Sequence, residues 1–457
     1  MGLTRLESSS PSACFGLSVR AALYAVRRKE AATFRKFSIA GFGVCVSLAG
    51  ILGEARADVV TDWNNILLDA VRAEKSVPPR ASRAMACVNV SMFEAVNGIS
   101  GLYEPYHLTD PAPPGTSPEA AAAAAAYQSL SHLFPAQRKV FDAALKASLS
   151  AIPEGPSKMA GISWGLKVAD AIMALRAEDG STRESNHQYP AGPGLWTPTP
   201  PDFASGLLPD WVAVKPWAMA DGSQFRPAPP PALGSAEYLK AFGEVARLGR
   251  IDSPWRTTEQ SQIVLFWADG PGTSTPPGHW LLVALSLASQ RSLPLHESSR
   301  LFALLSMAMA DAAIVSWDSK YHYHHWRPIT GIQYSELKGN GGTRVASPWT
   351  PFLSTPPFPS YTSGHSTFSG SASRILELFF GTDAVLFSLI SEGLPGVERF
   401  FASFSQAAEE AGQSRIYGGI HWQYDNQAGL ASGRALGDHV FYNRLRPRSP
   451  AAPGRRP

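Results

Sequence analysis

Apolar residues recur every three or four positions through most of the chain, which is the spacing of helices that bury one face. In the interval 82–99 one side collects Ala84, Cys87, Val88, Met92 and Val96. The alternation of apolar and polar residues that is typical of strands is nearly absent. We therefore expect an all-α protein built from bundled helices.

The same pattern predicts where the helices lie. A Ser-Pro-Glu sequence at Ser117 supplies a cap and a proline in the first turn of one helix. Helices are predicted at 62–74, 82–99, 117–126, 136–150, 157–177, 235–249, 257–267, 280–290, 296–321, 366–380, 396–415 and 420–434.

Changes of composition divide the chain. Residues 1–57 form an N-terminal extension with a signal peptide, and residues 58–187 form an N-terminal helical region. The interval 188–234 is a loop rich in proline and tryptophan, followed by a C-terminal helical domain at 235–445 and a disordered tail at 446–457. Large aromatic residues among the prolines indicate that the loop is ordered, and we expect it to form the wall of a cleft.

The N-terminal extension carries an export signal. The basic pair Arg35-Lys36 precedes an apolar run at 37–52, and Ala55-Arg56-Ala57 closes it. This pattern predicts cleavage after Ala57 and an exported protein, either periplasmic or secreted. The alternative is a membrane anchor, but the run has only sixteen residues, three of them glycine. No later segment is expected to cross a bilayer, so the mature protein should have no stable membrane span.

Charge and cysteine content narrow the class of protein. A net charge of +3 over 457 residues, without a basic stripe, does not favour a nucleic-acid partner. Only Cys87 follows the predicted cleavage point, so the mature chain cannot form an internal disulfide. With 44% apolar and 17% charged residues, the composition is that of an ordinary folded enzyme. A homo-oligomer remains possible.

A proline-rich stretch at 356–365 ends in Ser363-Gly364-His365, and the helix predicted at 366–380 follows at once. This places a hydroxyl group, an unhindered backbone N–H and an imidazole at a helix N-terminus. Free N–H groups and the positive end of the helix dipole make such a position suitable for an anion.

Two cations precede this stretch. Lys320 should lie near the end of a helix, and Arg327 just before the next short helix, because Pro328 disfavours helical backbone at the residue before it. Converging side chains of this kind can hold a tetrahedral oxyanion, and arginine offers a planar fork of donors. Without the other stretches, Lys320 and Arg327 would be interpreted as two solvated charges on the surface.

A second histidine follows in the interval 415–425. The double glycine after Arg415 predicts a helix end and a tight turn, with a new helix starting near His421. Asp425 lies one helical turn after His421, so its carboxylate can accept the ring N–H and fix the tautomer. The alternative is an ordinary histidine–aspartate pair on a helix surface.

Together these stretches resemble the signature K-x6-R-P, S-G-H and S-R-x5-H-x3-D of vanadium-dependent haloperoxidases and type 2 phosphatidic acid phosphatases. Every position matches in order. The proline-rich stretch is similar to the haloperoxidase branch, with Thr362 where fungal chloroperoxidases have proline. A weaker similarity to bacterial haloperoxidase-like proteins extends back through residues 256–260 and 266–270. The resemblance implies paired helical bundles of the vanadium chloroperoxidase type.

The resemblance also implies the roles of the residues. A bound vanadate, or phosphate in the same site, would be held by Lys320, Arg327, Ser363, Gly364, Arg415 and His421. His421 would bond the vanadium, the three cations would neutralise the oxygens, and His365 would act as acid and base. Trp317 and Phe358 match positions that line the halide pocket of the chloroperoxidases, although either could simply pack in the core. Asp269 is a candidate partner of an active-site arginine.

The implied reaction is oxidation of a halide by hydrogen peroxide to a hypohalous species that halogenates a small organic acceptor. An alternative is an exported acid phosphatase acting on a phosphoester, with His421 as the nucleophile that forms a phosphohistidine and His365 as the proton donor to the leaving group. A second alternative is a non-catalytic oxyanion-binding protein, which would not require both histidines.

Overall fold

Helices account for nearly all of the regular structure in the part of the chain that the structure describes. The structure is a computed structural model and describes residues 58–339 and 349–448. The predicted signal peptide lies outside these residues, as does the predicted tail beyond residue 448.

Thirteen α-helices occur within those ranges, which confirms the predicted all-α class. They are α1 (Val59–Ala73), α2 (Pro78–Ser100), α3 (Pro118–Leu133), α4 (Arg138–Ser150), α5 (Pro156–Leu175), α6 (Ala236–Leu248), α7 (Thr258–Phe266), α8 (Thr275–Gln290), α9 (Leu295–Tyr323), α10 (Pro328–Gly339), α11 (Gly364–Phe380), α12 (Phe404–Tyr417) and α13 (Gln423–Asn443). Two short strands, β1 (Phe387–Ile390) and β2 (Glu398–Phe401), pair in antiparallel fashion.

Local chemistry sets most helix starts. Ser117 accepts the N–H of Ala120 at the start of α3, as the sequence predicts. Thr257 forms a reciprocal capping box with Gln260 at the start of α7. These side chains satisfy N–H groups that a helix cannot satisfy internally.

Several predicted helix boundaries are wrong. The helix predicted at 117–126 continues to Leu133, and the helix predicted at 420–434 is Gln423–Asn443. The interval 396–415 begins with β2, because Phe401 pairs with Phe387 of β1 and both side chains are buried; α12 begins only after the Ser403 cap. The helix expected at 280–290 starts earlier, at Thr275, because the first turn of a helix tolerates prolines, which have no N–H to leave unpaired.

The longest helix, α9, is the centre of the fold. It packs against α2 from the N-terminal region and against α11 and α13 from the C-terminal domain. The expectation that no later segment could cross a bilayer is wrong for this helix, which among the described residues is long and apolar enough. Its apolar stretch is completely buried within the protein, as in the core helix of a helical bundle.

The long loop at 188–234 is fixed to α9 by a buried carboxylate. Asp311 accepts hydrogen bonds from the backbone N–H groups of Trp217 at 2.7 Å, Ala218 at 2.8 Å and Met219 at 3.1 Å. Further along α9, Trp317 Nε1 donates to the carbonyl of Leu207 at 3.0 Å. The loop is therefore an ordered part of the structure and lies against the end of α9 that carries Lys320.

Replacing Asp311 by alanine should lower the free energy of unfolding by about 3 kcal/mol or more, because three buried N–H groups lose their acceptor. Urea denaturation measures the change. Asp110→Ala, at an exposed position, is the control and should change stability by less than about 0.5 kcal/mol. A loss of less than about 1 kcal/mol for Asp311→Ala would contradict the account of the loop.

Candidate active site

Close packing of α11 on α13 brings the Ser-Gly-His sequence to the second histidine. Glycines at 429, 433 and 437 leave one face of α13 without side chains. A Cβ atom at Gly433 would lie 2.4 Å from the Thr367 carbonyl oxygen, so only glycine permits this approach. Where the helices begin, the N–H of Ser363 donates to the carbonyl of Asp425 at 3.0 Å.

His421 is held by the aspartate one helical turn after it. Its Nδ1 lies 2.8 Å from Asp425 Oδ2, and both side chains are buried. This is the contact that the four-residue spacing predicts. Nδ1 therefore carries the proton, and Nε2 keeps its lone pair.

Asp425 has two further donors that the sequence did not indicate. The Ser360 hydroxyl and the backbone N–H of Trp422, the latter at 3.1 Å, both donate to Oδ2. Burial raises the pKa of Asp425 to about 6, although these hydrogen bonds favour the ionised form. Near pH 7 the carboxylate is thus charged and orients the His421 ring.

Arg327 lies beside the free nitrogen of His421. Its Nη1 is 3.0 Å from His421 Nε2 and 2.7 Å from the Ile420 carbonyl, and its Nε donates to the Phe358 carbonyl at 2.8 Å. The remaining nitrogen, Nη2, is buried without a hydrogen-bond partner. Nε and Nη1 thus make three fixed contacts, and the two N–H groups of Nη2 are left for a ligand.

Arg415 and His365 donate hydrogen bonds to the same backbone carbonyl. The Trp267 oxygen accepts from Arg415 Nη1 at 2.9 Å and from His365 Nε2 at 3.0 Å. The proton of a neutral His365 is therefore on Nε2, which leaves Nδ1 as the nitrogen available for chemistry. Arg415 Nε is buried and has no partner.

Both histidines are neutral in the ligand-free protein. Burial lowers the pKa of His421 well below its ordinary value, and the charges of Arg327 and Lys320 lower it further. Burial also lowers the pKa of His365 well below its ordinary value, and the charge of Arg415 lowers it further. Each ring consequently offers a lone pair at neutral pH.

Lys320 also lies at the site, but its donors are occupied. Its Nζ donates to the carbonyls of Pro359 and Ser360 at 3.0 Å each and to that of Thr362. The ammonium group therefore shapes the loop before Ser363 and adds positive charge. Burial and the neighbouring Arg327 lower the pKa of Lys320 well below its ordinary value.

The remaining two predicted anion ligands lie at the start of α11. Ser363 is its N-cap, and its hydroxyl oxygen accepts from the N–H of Ser366 at 3.4 Å, which leaves the hydroxyl proton free to donate. Gly364 is the first helical residue, so its N–H has no partner within the helix.

Trp317 and Phe358 form an aromatic pair next to the cations. Their ring centroids are 5.1 Å apart. The Phe358 ring lies 4.9 Å from Lys320 Nζ and 4.8 Å from Arg327 Cζ. Trp317 is buried, and its N–H is used by the Leu207 carbonyl, so the pair is an apolar wall beside a cationic group.

Known proteins are similar to this chain in sequence and in fold. Residues 300–447 match the family model of the second helical-bundle domain of vanadium chloroperoxidase. The vanadium chloroperoxidase of Curvularia inaequalis is 26% identical, over 82% of this chain and 80% of its own length. The crystal structure of a bacterial vanadium-dependent iodoperoxidase is 30% identical, with a TM-score of 0.75 over 86% of this chain and 97% of that one.

This chain belongs to the vanadium haloperoxidase family. A bacterial vanadium-dependent chloroperoxidase has the same fold, with a TM-score of 0.63 over 79% of this chain and 92% of that one. At 17% identity this last likeness shows the fold alone. The paired helical-bundle fold expected from the sequence is therefore confirmed.

The residues of this haloperoxidase-family site fit a tetrahedral oxyanion. Two buried arginine donors, Arg327 Nη2 and Arg415 Nε, have no partner in the protein. Buried donors are normally satisfied, so a pair of them marks the place of an acceptor group. The free N–H of Gly364, the Ser363 hydroxyl and the neutral His421 nitrogen complete a set suited to vanadate or phosphate.

Because anions neutralise these buried cations, binding should stabilise the fold. Orthophosphate at a hundred times its dissociation constant should raise the free energy of unfolding by about 2.7 kcal/mol. The dissociation constant comes from calorimetry and the stability from urea denaturation. Potassium nitrate at equal ionic strength is the control, and no stabilisation by phosphate would contradict the oxyanion site.

The sequence hypothesis for Asp269 requires correction. Among the described residues its ion-pair partner is His279, at 3.2 Å, rather than an active-site arginine. The charge of Asp269 nevertheless favours the charged form of Arg415. Two contributors were missed: Ser360, which has no motif of its own, and Trp267, which acts through its backbone carbonyl and therefore leaves no signal in side-chain chemistry.

Proposed function

We propose that this protein is a vanadate-dependent haloperoxidase, which uses hydrogen peroxide to oxidise a halide to a hypohalous species that halogenates a small organic acceptor. The observation that supports it most is the pair of partnerless arginine donors beside a neutral, carboxylate-oriented His421. A neutral imidazole suits a metal-type ligand, and its Nε2 lone pair, which accepts from Arg327 Nη1 in this structure, would turn to the cofactor.

Bound vanadate supplies a Lewis-acidic centre that activates peroxide without changing its own oxidation state. The side chains of the protein bind the cofactor and orient the groups around it. His421 Nε2 would ligate the cofactor, and Asp425 keeps the ring in the tautomer with the proton on Nδ1. Arg327 and Arg415 would bind its oxygens through their partnerless donors, and Lys320 adds charge while it holds the 359–362 loop.

His365 moves the proton that the reaction requires. Oxidation of one halide by one hydrogen peroxide consumes a proton and yields one hypohalous acid and one water. The free Nδ1 of His365 takes a proton from the incoming peroxide and returns it when the product forms, and the additional proton that the reaction consumes comes from solvent. The Trp267 carbonyl accepts the hydrogen bond from Nε2 and keeps that nitrogen protonated, so Nδ1 is the atom that exchanges the proton.

The aromatic pair Trp317–Phe358 supplies the halide site. A halide is a weakly hydrated anion, and this pair provides an apolar wall next to the charges of Lys320 and Arg327. Iodide is the most easily oxidised of the common halides. The similarity to an iodoperoxidase supports it as the halide to test first.

Phosphate-ester hydrolysis is the second candidate. The same donors accept a phosphoryl group, and the His421–Asp425 hydrogen bond of 2.8 Å would activate His421 as the nucleophile of a phosphohistidine route. His365 would then protonate the leaving group. The apolar wall beside the cations is not needed for this reaction, which is why we favour the haloperoxidase.

One assay separates the candidates. Purified protein is loaded with orthovanadate, and peroxide-dependent halogenation of a dimedone-type reporter is measured with iodide, bromide and chloride. Phosphatase turnover is measured on vanadate-free protein. We expect vanadate-dependent halogenation; phosphatase turnover without halogenation at any pH would favour the second candidate, and tight phosphate binding without either activity would favour a binding protein.

The export hypothesis rests on the sequence pattern at 35–57. If it holds, the enzyme acts in the periplasm or outside the cell. N-terminal sequencing of the protein from its native host should find a mature chain that begins at Asp58. A chain that retains residues 37–52 would contradict the predicted cleavage.

A further inference from the structure

A second buried histidine–carboxylate pair lies behind the active site. His279 Nδ1 is 3.2 Å and 3.4 Å from the two carboxylate oxygens of Asp269. The side chains are 2% and 3% exposed. Apart from the charge of Asp269, which favours the charged form of Arg415, neither residue has a role in the anion site described so far.

The pair is attached to Trp267, whose carbonyl binds both His365 and Arg415. The His279 ring packs on the Trp267 indole with centroids 4.6 Å apart. Asp269 follows Trp267 by two residues and has a left-handed backbone, with φ of 44°, which aspartate tolerates better than most residues. The peptide that carries the shared carbonyl is thus flanked by an indole packed on the tilted His279 ring and by a hydrogen-bonded carboxylate.

His279 belongs to a helix that is fixed to α11. Its neighbour Trp280 donates from Nε1 to Ser369 Oγ at 2.9 Å, and Ser369 lies one turn after His365. The His279–Asp269 hydrogen bond therefore ties the segment after α7 to the same helix that carries His365.

Packing alone does not account for a histidine at this position. The other ring nitrogen of His279, Nε2, is buried without a partner. A buried polar atom without a partner is unfavourable, and a phenyl ring would pack on Trp267 without that cost. The feature that requires a histidine is its hydrogen bond to Asp269.

We propose that His279 and Asp269 form a positioning pair that holds the Trp267 carbonyl against His365 and Arg415. The carbonyl keeps the proton of His365 on Nε2 and directs Arg415, so the pair sets the acid–base state of His365 and the affinity for the oxyanion. Its consequence for halide oxidation rests on the function proposed above; the positioning itself does not.

Two substitutions at His279 separate hydrogen bonding from packing. His279→Phe keeps an aromatic ring over Trp267 and loses the donor to Asp269. His279→Asn loses the ring, but its amide nitrogen can stand where Nδ1 stood and donate to Asp269. His132→Ala, at an exposed histidine on α3, is the matched control.

The measurements use vanadate-free full-length protein. Long-range hydrogen–nitrogen spectra of protein labelled with 15N-histidine report the tautomer of His365. The signals of His365 are identified as those that disappear from the spectrum of His365→Ala. Calorimetry gives the dissociation constant of orthophosphate. The wild type and His132→Ala should show a single tautomer protonated on Nε2.

We expect His279→Phe to show mixed tautomers of His365 and to bind phosphate roughly tenfold more weakly, as substitutions behind ligand residues commonly do. His279→Asn should stay close to the wild type. A folded His279→Phe with unchanged tautomer and affinity would overturn the proposal, as would a His279→Asn variant that is impaired equally. If His279→Phe does not fold, His279→Leu is compared with His279→Asn, because both lack the ring and only asparagine keeps a donor to Asp269.

These readouts require neither peroxide nor halide. A wild type that binds phosphate with the expected tautomer but oxidises no halide would refute the proposed function and leave the positioning pair intact.

Discussion

Replacing His421 by alanine should reduce vanadate-dependent iodide oxidation by roughly a thousandfold or more, at the upper end of the losses seen when one stabilising group is removed from an active site. The cofactor loses its nitrogen ligand, and Asp425 loses the ring that it orients. Steady-state rates at saturating vanadate measure the loss.

The same substitution should weaken phosphate binding much less, because the free donors of Arg327 and Arg415 remain. His132→Ala, on the surface, should leave the rate unchanged. An active His421→Ala variant with normal vanadate affinity would show that this histidine does not ligate the cofactor.

Arg327→Lys should lower the affinity for vanadate and for phosphate by roughly a hundredfold, although the charge is conserved. The guanidinium makes three fixed contacts, to the Phe358 and Ile420 carbonyls and to His421 Nε2, and still has Nη2 for the ligand. A lysine ammonium has three donors on a flexible stem and cannot make this planar set.

Isothermal calorimetry with each anion measures the change. Arg80→Lys, at a half-exposed surface position, is the control and should bind both anions as the wild type does. Wild-type affinity in Arg327→Lys would mean that charge alone, rather than the shape of the fork, holds the oxyanion.

Much of the site could be predicted from sequence because its chemistry is carried by side chains in short motifs. The spacing of His421 and Asp425 predicted their hydrogen bond, and Pro328 correctly placed Arg327 before α10. Helical periodicity likewise gave the all-α class, because most helices expose one face and bury the other.

Other features could not be predicted because they depend on tertiary packing. Lys320 was expected to donate to the anion, but its proton donors point to loop carbonyls that are distant in the sequence. The hairpin partly replaced a predicted helix because Phe401 finds a partner in Phe387. The helix α9 satisfies the length and composition of a membrane span, and only its neighbours show that it is a core helix.

The most direct test of the oxyanion site is a crystal soaked in orthovanadate, with diffraction data recorded on both sides of the vanadium absorption edge. The account predicts one anomalous peak at the site, next to His421 Nε2 and within reach of Arg327 Nη2 and Arg415 Nε. An anomalous map without a peak at this position, from a protein that is nevertheless active with vanadate, would contradict it.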